Sequence, residues 1–497
     1  MYQDTAREVP VLIVGAGPAG LTAAITLARY GIDSLLIERR AGLSALPRAT
    51  AVSTRTMEIV RSFGLEQEVL AGGIDVEWNA WLTETLASPA GVPMPLGFPT
   101  REEVAQVSPA APACVPQDHL EPVLLDYLRS FTNADVQFGA ELVELHQDSE
   151  WVTATIREAT SQRMVSIRAR YVVAADGAHS LIRDLLNIPM EGPDDLVDHS
   201  TVLFRAPLWN VLGDRRHGLY VITHPEAAGI FVPVGADDRW LYGQETTQGR
   251  QRLVDLSSEG LTSLLRTASG VPTLQPRIER LGRFTFAAQI ASHYRDRRVF
   301  LAGDAAHRVT PRGGTGMNTA IHDGFDLAWK LGWVLLDWAA PELLDTYELE
   351  RRPVGLHNTA RSADPDGSRR DATDGLAADL GDRIAHAWTG QGEARISTMD
   401  LLGPGLTLLT DEYGGRWRHE LPSVAATIAS QVVDAAAASV LGIHGGGAVL
   451  VRPDAKPVAT WTAAMPEPAG AIAAAVTAMA MRTTTQVAPA RPRTLAG

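Results

Sequence analysis

Apolar residues along this chain fall into short β-branched runs that alternate with longer stretches at helical spacing. Val9, Val11, Leu12, Ile13 and Val14 form the first run, which predicts a buried parallel strand. After a glycine-rich turn, residues 21–30 take a helical pattern, and residues 34–37 form a second strand-like run that ends at Glu38. Further along, 120–128 reads as helix, 136–170 as alternating short strands, and 171–175 as another buried strand. Several short strands are expected within 201–247, including 217–223 and 229–234. From Val299 a strand runs into a turn and then a helix, because Met317, Ala320, Ile321, Gly324, Ala328, Leu331 and Leu335 recur at helical spacing. Residues 72–108 are rich in Pro, Gly and Trp without a helical period and predict strands and loops, whereas 362–395 is polar and charged, as a surface segment or linker would be. Residues 406–409 and 448–451 are strand-like, an Ala-rich amphipathic stretch follows, and the Thr, Pro, Ala and Arg after residue 481 are expected to fray. The alternation of strand and helix predicts an α/β chain.

Three signatures punctuate these elements in a fixed order: GAGPAG at 15–20, ADGAHS at 175–180 and LAGDAAH at 301–307. The first lies between a strand and a helix, where its chemistry requires it. Gly15 permits a tight turn, Gly17 lets backbone approach a pyrophosphate, Gly20 allows close helix–strand packing, and the helix N-terminus offers unpaired N–H groups. Glu38, 18 residues after Gly20, is spaced to accept hydrogen bonds from ribose hydroxyls, although Arg39 and Arg40 next to it keep a phosphorylated ribose open. Asp304 follows a strand and precedes a glycine-rich turn, so its carboxylate can accept from a sugar-alcohol hydroxyl. The helix from Met317 directs its positive end toward Gly314 and Gly316, where it would favour negative charge on a reduced flavin. Singly, Asp304 also reads as a helix N-cap and Asp176 as a turn aspartate. Together the three signatures describe a bound FAD.

Composition removes other classes. Residues 11–28 carry no charge, but three Gly and one Pro break them into strand, turn and helix rather than a membrane span. Asp4 and Glu8 spoil the basic start of a signal peptide. A net charge of −14 opposes nucleic acid and anionic membranes as partners. The single cysteine, Cys114, allows no internal disulfide and no cysteine metal cluster, fits a reducing cytoplasm, and leaves no metal expected. Only two of the 44 basic residues are lysines, Lys330 and Lys456, and neither sits in a P-loop.

With these motifs the chain resembles the FAD-dependent aromatic hydroxylases of the para-hydroxybenzoate and phenol hydroxylase type, including actinobacterial polyketide hydroxylases. The resemblance runs to about Pro353. It implies a Rossmann-like FAD-binding domain (1–75, 108–190 and 280–395), a β-sheet substrate domain (76–107 and 191–279) and a thioredoxin-like C-terminal domain (396–497). Gly15, Gly17, Ala19, Gly20, Glu38 and Arg39 match the ADP-binding region, Arg48 in PRA and Gln117 in QDHLEP match cofactor contacts, and Asp176, Gly177 and Arg183 match a motif serving both FAD and the nicotinamide. Gly303 and Asp304 match the ribityl-binding motif. Pro311, Gly313, Gly314, Gly316, Met317 and Asn318 match the loop and helix start beside the flavin ring, with Pro311 and Gly314 as its wall. The C-terminal match is looser, with Ala455 where a turn glycine is usual; it lacks cysteine, which excludes thiol–disulfide chemistry, and leaves room for a docking or homodimer surface.

The implied reaction consumes NADPH or NADH and O₂ and hydroxylates a phenolic or polycyclic aromatic, polyketide-like substrate through a C4a-hydroperoxyflavin. Baeyer–Villiger insertion on a polyketide ketone, and an FAD- or intermediate-binding protein without turnover, are the alternatives. Trp78, Trp81, Tyr220, Phe231, Trp240, Tyr242 and Phe286 are candidates to line the substrate pocket, each with a plainer reading as sheet core. A substrate base is useful for a phenol; His217, His224 and Arg283 are candidates that spacing does not separate.

Overall fold

The first apolar run becomes the strand Arg7–Val14, with Met164–Ala174 on one side and Ser34–Glu38 on the other, both parallel to it. Val299–Leu301 adds in parallel beyond Met164–Ala174. Each of the three signatures therefore begins at the carboxyl end of one of three adjacent parallel strands. That edge is where ligands bind in open α/β sheets. The computed structural model describes residues 7–246, 251–366 and 372–480; the tail after 481, expected to fray, lies outside the described residues.

Two helices cover this edge because small residues let them approach. In the helix Pro18–Arg29, Ala19 puts its carbonyl where a Cβ on Gly324 of the helix Gly316–Leu335 would overlap it. Gly303 threads between them, with Ala19 and Ala320 Cβ atoms 3.2 and 3.1 Å from where its own Cβ would stand. Gly15 is bound more tightly still. Its φ of +109° is open to glycine, and a Cβ there would collide with the Ala175 carbonyl, the first residue of the second signature.

The second sheet has seven strands in the order Arg277–Phe286, Val197–Arg205, Arg239–Glu245, Gly229–Pro233, His217–Ile222, Glu77–Thr83 and Gly91–Pro95. Its two faces differ. On one, Phe204, Tyr220, Phe231, Trp240 and Tyr242 have no exposed surface and pack with Leu261 and Leu265 of the helix Ser258–Ser269. On the other, Leu82, Leu219, Val221, Ile230, Val232 and Leu241 alternate with them and are only half-buried.

Leu406–Thr410 pairs parallel with Ile428–Val432 and antiparallel with Ala448–Val451, which pairs antiparallel with Pro457–Trp461. Helices Gly415–His419 and Ala435–Val440 flank the first crossings and Pro468–Met479 follows the last strand, which is a thioredoxin-like arrangement. Ile384 and Ala387, which precede residue 396, share a buried cluster with Leu409, Val433 and Val451 of this unit. Ala455, in place of the usual glycine, holds φ at +71°. The chain's two lysines meet where this unit joins the long helix. Buried Lys330 pairs with Asp326 (2.7 Å) and Glu350 (3.3 Å), while Lys456 (3.3 Å) and Arg452 (2.7 Å) reach the same Glu350. Asp454 joins the group through Arg452, so three carboxylates and three cations balance there.

Two helices fall where the hydrophobic pattern shows none. Arg101–Ala105 starts at a capping box of Thr100 and Glu103, a signal the sequence does carry. Ala372–Leu380 lies within the polar stretch, held through Asp379, which accepts from the Ser53 hydroxyl and the Arg55 N–H (both 2.8 Å).

Candidate active site

The sheet edge brings Gly15, Gly17, Glu38, Asp176, Gly177, Gly303 and Asp304 together, although up to 289 residues separate them in sequence. Glu38 ends its strand half-buried. Its carboxylate accepts from the N–H of Ala16 (3.1 Å) and of Arg40 (2.9 Å), which fixes it beside the glycine turn. Arg39 is exposed beyond it. A Cβ on Gly17 would meet nothing within 4 Å, so this backbone faces open space, in contrast to Gly15 and Gly20.

Asp304 projects from the one-turn helix Gly303–Ala305 with no hydrogen-bond or ion-pair partner among the described residues. Solvent reaches its side chain, but the walls around it desolvate the carboxyl and push its pKa up, against the nearby charges of His307, Arg48 and Arg308. Arg48 is exposed, and its guanidinium likewise has no partner among the described residues.

Beneath Asp304 lies a buried network that the sequence did not announce. Asp323, five residues into the long helix after Asn318, accepts from the Gly303 N–H (3.2 Å) and Arg351 Nε (2.8 Å) and lies 2.6 Å from His307 Nε2. Burial works against its charge, but Arg351 and His307 outweigh burial and hold the carboxyl below the ordinary range. The turn that presents Asp304 is thus clamped from below.

Arg183 is buried and donates to the carbonyls of Ala305 (3.2 Å) and Ala178 (3.3 Å), so it braces the second signature against the third. Asp176 accepts from the Ser180 hydroxyl (2.6 Å) and the Ile182 N–H (3.1 Å), the turn-and-cap role open to it from sequence. Asn318 spends its amide on backbone, accepting from Ser53 N–H and donating to the carbonyls of Ala51 and Gly314. Met317 is buried in the main core. The loop ahead of them turns through Gly313 (φ +81°) and Gly314 (φ +61°), with the Pro311 carbonyl accepting from Gly314 N–H (3.1 Å).

Gln117 is buried and donates to Glu121 (2.7 Å), one helical turn on. Glu121 was missed from sequence, though the Gln–Glu spacing of four is the signal for it. Burial pushes its pKa from the ordinary 4.5 to about 7; Gln117 and Arg48 oppose this, and Asp118 and Glu38 add to it. A raised carboxyl pKa means the folded state holds the proton more tightly. Glu121 therefore supports the fold fully below about pH 4.5, and this support is lost as pH rises through about 7. Glu121→Gln should melt above the wild type at pH 8 and show no such gain at pH 5; equal shifts at both pH values would contradict the assignment.

Four of the candidate pocket aromatics require correction. Tyr220, Phe231, Trp240 and Tyr242 sit on the sealed face of the second sheet, and the tyrosine hydroxyls donate to the carbonyls of Arg215 (2.7 Å) and Ala227 (2.9 Å). Period-two alternation cannot tell which face of a strand is open. The face that turns toward the glycine loop is aliphatic. Its orientation is fixed by Arg239, which pairs with Asp118 (2.6 Å) beside Gln117, and by Glu245, which pairs with Arg312 (3.3 Å) in the loop. Of the base candidates, His217 is buried against Trp81 with Nδ1 2.5 Å from Asn79, and exposed Arg283 is held by Asp198 at 2.9 Å. His224 lies in the loop after the strand His217–Ile222.

Residues 8–362 match the family model described as FAD binding domain, and residues 377–482 match that of the aromatic-ring hydroxylase C-terminal region. The chain belongs to the FAD-binding aromatic-ring hydroxylases. Among this family, a putative polyketide hydroxylase of Streptomyces halstedii is 33% identical across 94% of this chain and 95% of its own. The tetracenomycin A2 monooxygenase-dioxygenase of Streptomyces glaucescens is also 33% identical, covering 90% of this chain and 92% of its own. The solved structure of aklavinone-11 hydroxylase with FAD and aklavinone superposes with a TM-score of 0.85 at 30% identity, covering 96% of this chain and all of that one. For a hydroxylase of this family the residues present fit FAD. Open backbone at Gly17, and a carboxylate at Asp304 and a cation at Arg48 that have no side-chain partner among the described residues, offer what a pyrophosphate and a polyol chain need. Among the described residues no helix is long and apolar enough to cross a membrane.

Proposed function

We propose that this chain is an NAD(P)H-consuming, FAD-dependent monooxygenase that hydroxylates a phenolic or polycyclic aromatic substrate of polyketide type. The observation that carries this reading is the half-buried aliphatic face of the second sheet, turned across the glycine loop that follows Asp304. When bound, FAD supplies two-electron acceptance from the nicotinamide and activation of O₂. The chain's own residues do the rest. The amides of the Gly15–Gly20 turn would hold the pyrophosphate, with Arg48 adding positive charge; Glu38 would accept from the ribose and Asp304 from the ribityl chain. Gln117 would contact the flavin, and the amides of the 311–316 loop, at the positive end of the long helix, would stabilise negative charge added to it. Leu219, Val221, Ile230, Val232 and Leu241 exclude water from the substrate and hold it flat over that loop. The relatives' reactions support the substrate class, since tetracenomycin and aklavinone name those enzymes. The division into domains follows from the same reading: the first sheet as FAD-binding domain, the second as substrate domain, and the thioredoxin-like unit as C-terminal domain. A cytoplasmic location also belongs to it, supported by a lone thiol, Cys114, whose pKa burial raises to about 12 and so keeps inert.

Anaerobic reduction of the flavin-loaded protein by NADPH and by NADH tests the reading. Hydroxylated anthraquinones should accelerate bleaching, and turnover in air with labelled O₂ should place one oxygen atom in the product. A flavin that stays oxidised with both nicotinamides and every aromatic probe would refute it.

A further inference from the structure

We propose that Trp78 and Phe98 form an aromatic wall that selects fused polycyclic substrates over single rings, an inference that rests on the function proposed above. Phe98 touches the loop itself: a Cβ on Gly314 would stand 3.2 Å from Phe98 Cζ and 3.2 Å from Ala51 Cβ. A side chain at Gly314, already disfavoured by its φ of +61°, would require Phe98 or Ala51 to give way, so Phe98 occupies the space beside the loop. The Trp78 ring packs on Phe98 with centroids 4.9 Å apart and planes tilted by 35°. Both rings are half-buried, unlike the sealed aromatics of the opposite sheet face, so each retains surface that is not packed against protein.

Their position relative to the aliphatic face sets the substrate size. Trp78 shares a face with Ala80 and Leu82 on the strand Glu77–Thr83, and Leu82 opposes Val221, Val221 opposes Ile230, and Val232 opposes Leu241 in the neighbouring strands. The half-buried floor thus runs across four strands, and at the usual strand spacing it is about 14 Å wide. A single phenol would cover only part of it. A fused planar system spans the floor and brings one end to the Trp78–Phe98 pair, where offset or edge-to-face contact with an aromatic ring is favoured.

The wall is also held in place. Gly97, next to Phe98, is approached closely by the helix Ala372–Leu380, because a Cβ on Gly375 would come within 2.5 Å of the Gly97 carbonyl. The same helix anchors Ser53 through Asp379, and Ser53 N–H donates to Asn318 (2.8 Å). The aromatic wall and the glycine loop are therefore referenced to one scaffold, which reduces the ordering cost of binding.

The test uses flavin-loaded wild type, Trp78→Leu, Phe98→Leu and the conservative Trp78→Phe, titrated with alizarin and with phenol while the flavin absorbance is followed. Wild type should bind alizarin more tightly than phenol. Each Leu variant should lose about tenfold in alizarin affinity with a smaller loss for phenol, and Trp78→Phe should recover most of it. Flavin content and melting temperature report folding separately. Alizarin affinity unchanged in both Leu variants, or an equal loss for both ligands, overturns the wall while leaving the monooxygenase reading intact. Wild type that binds neither ligand overturns that reading and the wall with it.

Discussion

Asp304→Ala should yield a folded protein that purifies with little flavin. A hydrogen bond to a charged group is worth about 1.5–3 kcal/mol, so the FAD dissociation constant should rise about 10- to 100-fold. The structure makes this variant a clean one. Asp304 has no partner among the described residues, so its removal breaks no internal contact, and the melting temperature of the flavin-free form should stay close to that of the wild type. Asp304→Asn keeps a neutral acceptor and should fall between the two. The measurement is flavin absorbance after gel filtration, followed by titration of FAD into stripped protein. Undiminished retention by the Ala variant would mean that the third signature holds its aspartate for another purpose.

Asp323→Ala should be the more damaging change, and for a different reason. It leaves Arg351 and His307 buried beside an empty site and removes the acceptor of the Gly303 N–H. Breaking one partner from a buried ion pair costs about 3–5 kcal/mol, a large fraction of ordinary domain stability. Because Asp323 has a lowered pKa, its contribution is present above the ordinary aspartate pKa and is lost as pH falls through the depressed value. The wild type should therefore lose stability in acid, and the variant should lose less of it over the same range. Denaturant melts across pH check this. A variant as stable as wild type at neutral pH would show that the network is ornamental to the fold.

Glycines at 15, 17 and 20 and the acid at 38 were legible because a tight nucleotide turn admits few alternatives at fixed short spacing. The long helix was legible from its 3.6-residue period, and the strand Ser34–Glu38 ended where expected. Glu121 and Asp323 were not singled out, since a carboxylate inside a helical pattern looks the same whether it faces water or a buried arginine. The four sheet aromatics were chosen for their chemistry, but their burial depends on which face the helix Ser258–Ser269 covers.

By itself the sequence determined the kind of ligand and the order of the elements that meet it. Those properties depend on local turn geometry, on helical and strand periods, and on backbone conformations that only glycine adopts readily. Only the tertiary structure decided which side chains remain free to act. Among the described residues the side chains of Asp304 and Arg48 are left without partners, whereas Arg183 and Asn318, drawn from the same motifs, are consumed in bracing backbone. Likewise Leu241 is half-buried on the face that carries Arg239 and Glu245, and Trp240, one residue earlier, is sealed away. The reason is physical: a motif fixes where the backbone goes, but availability is set by what packs against each side chain, and those neighbours come from other elements that only the fold brings close.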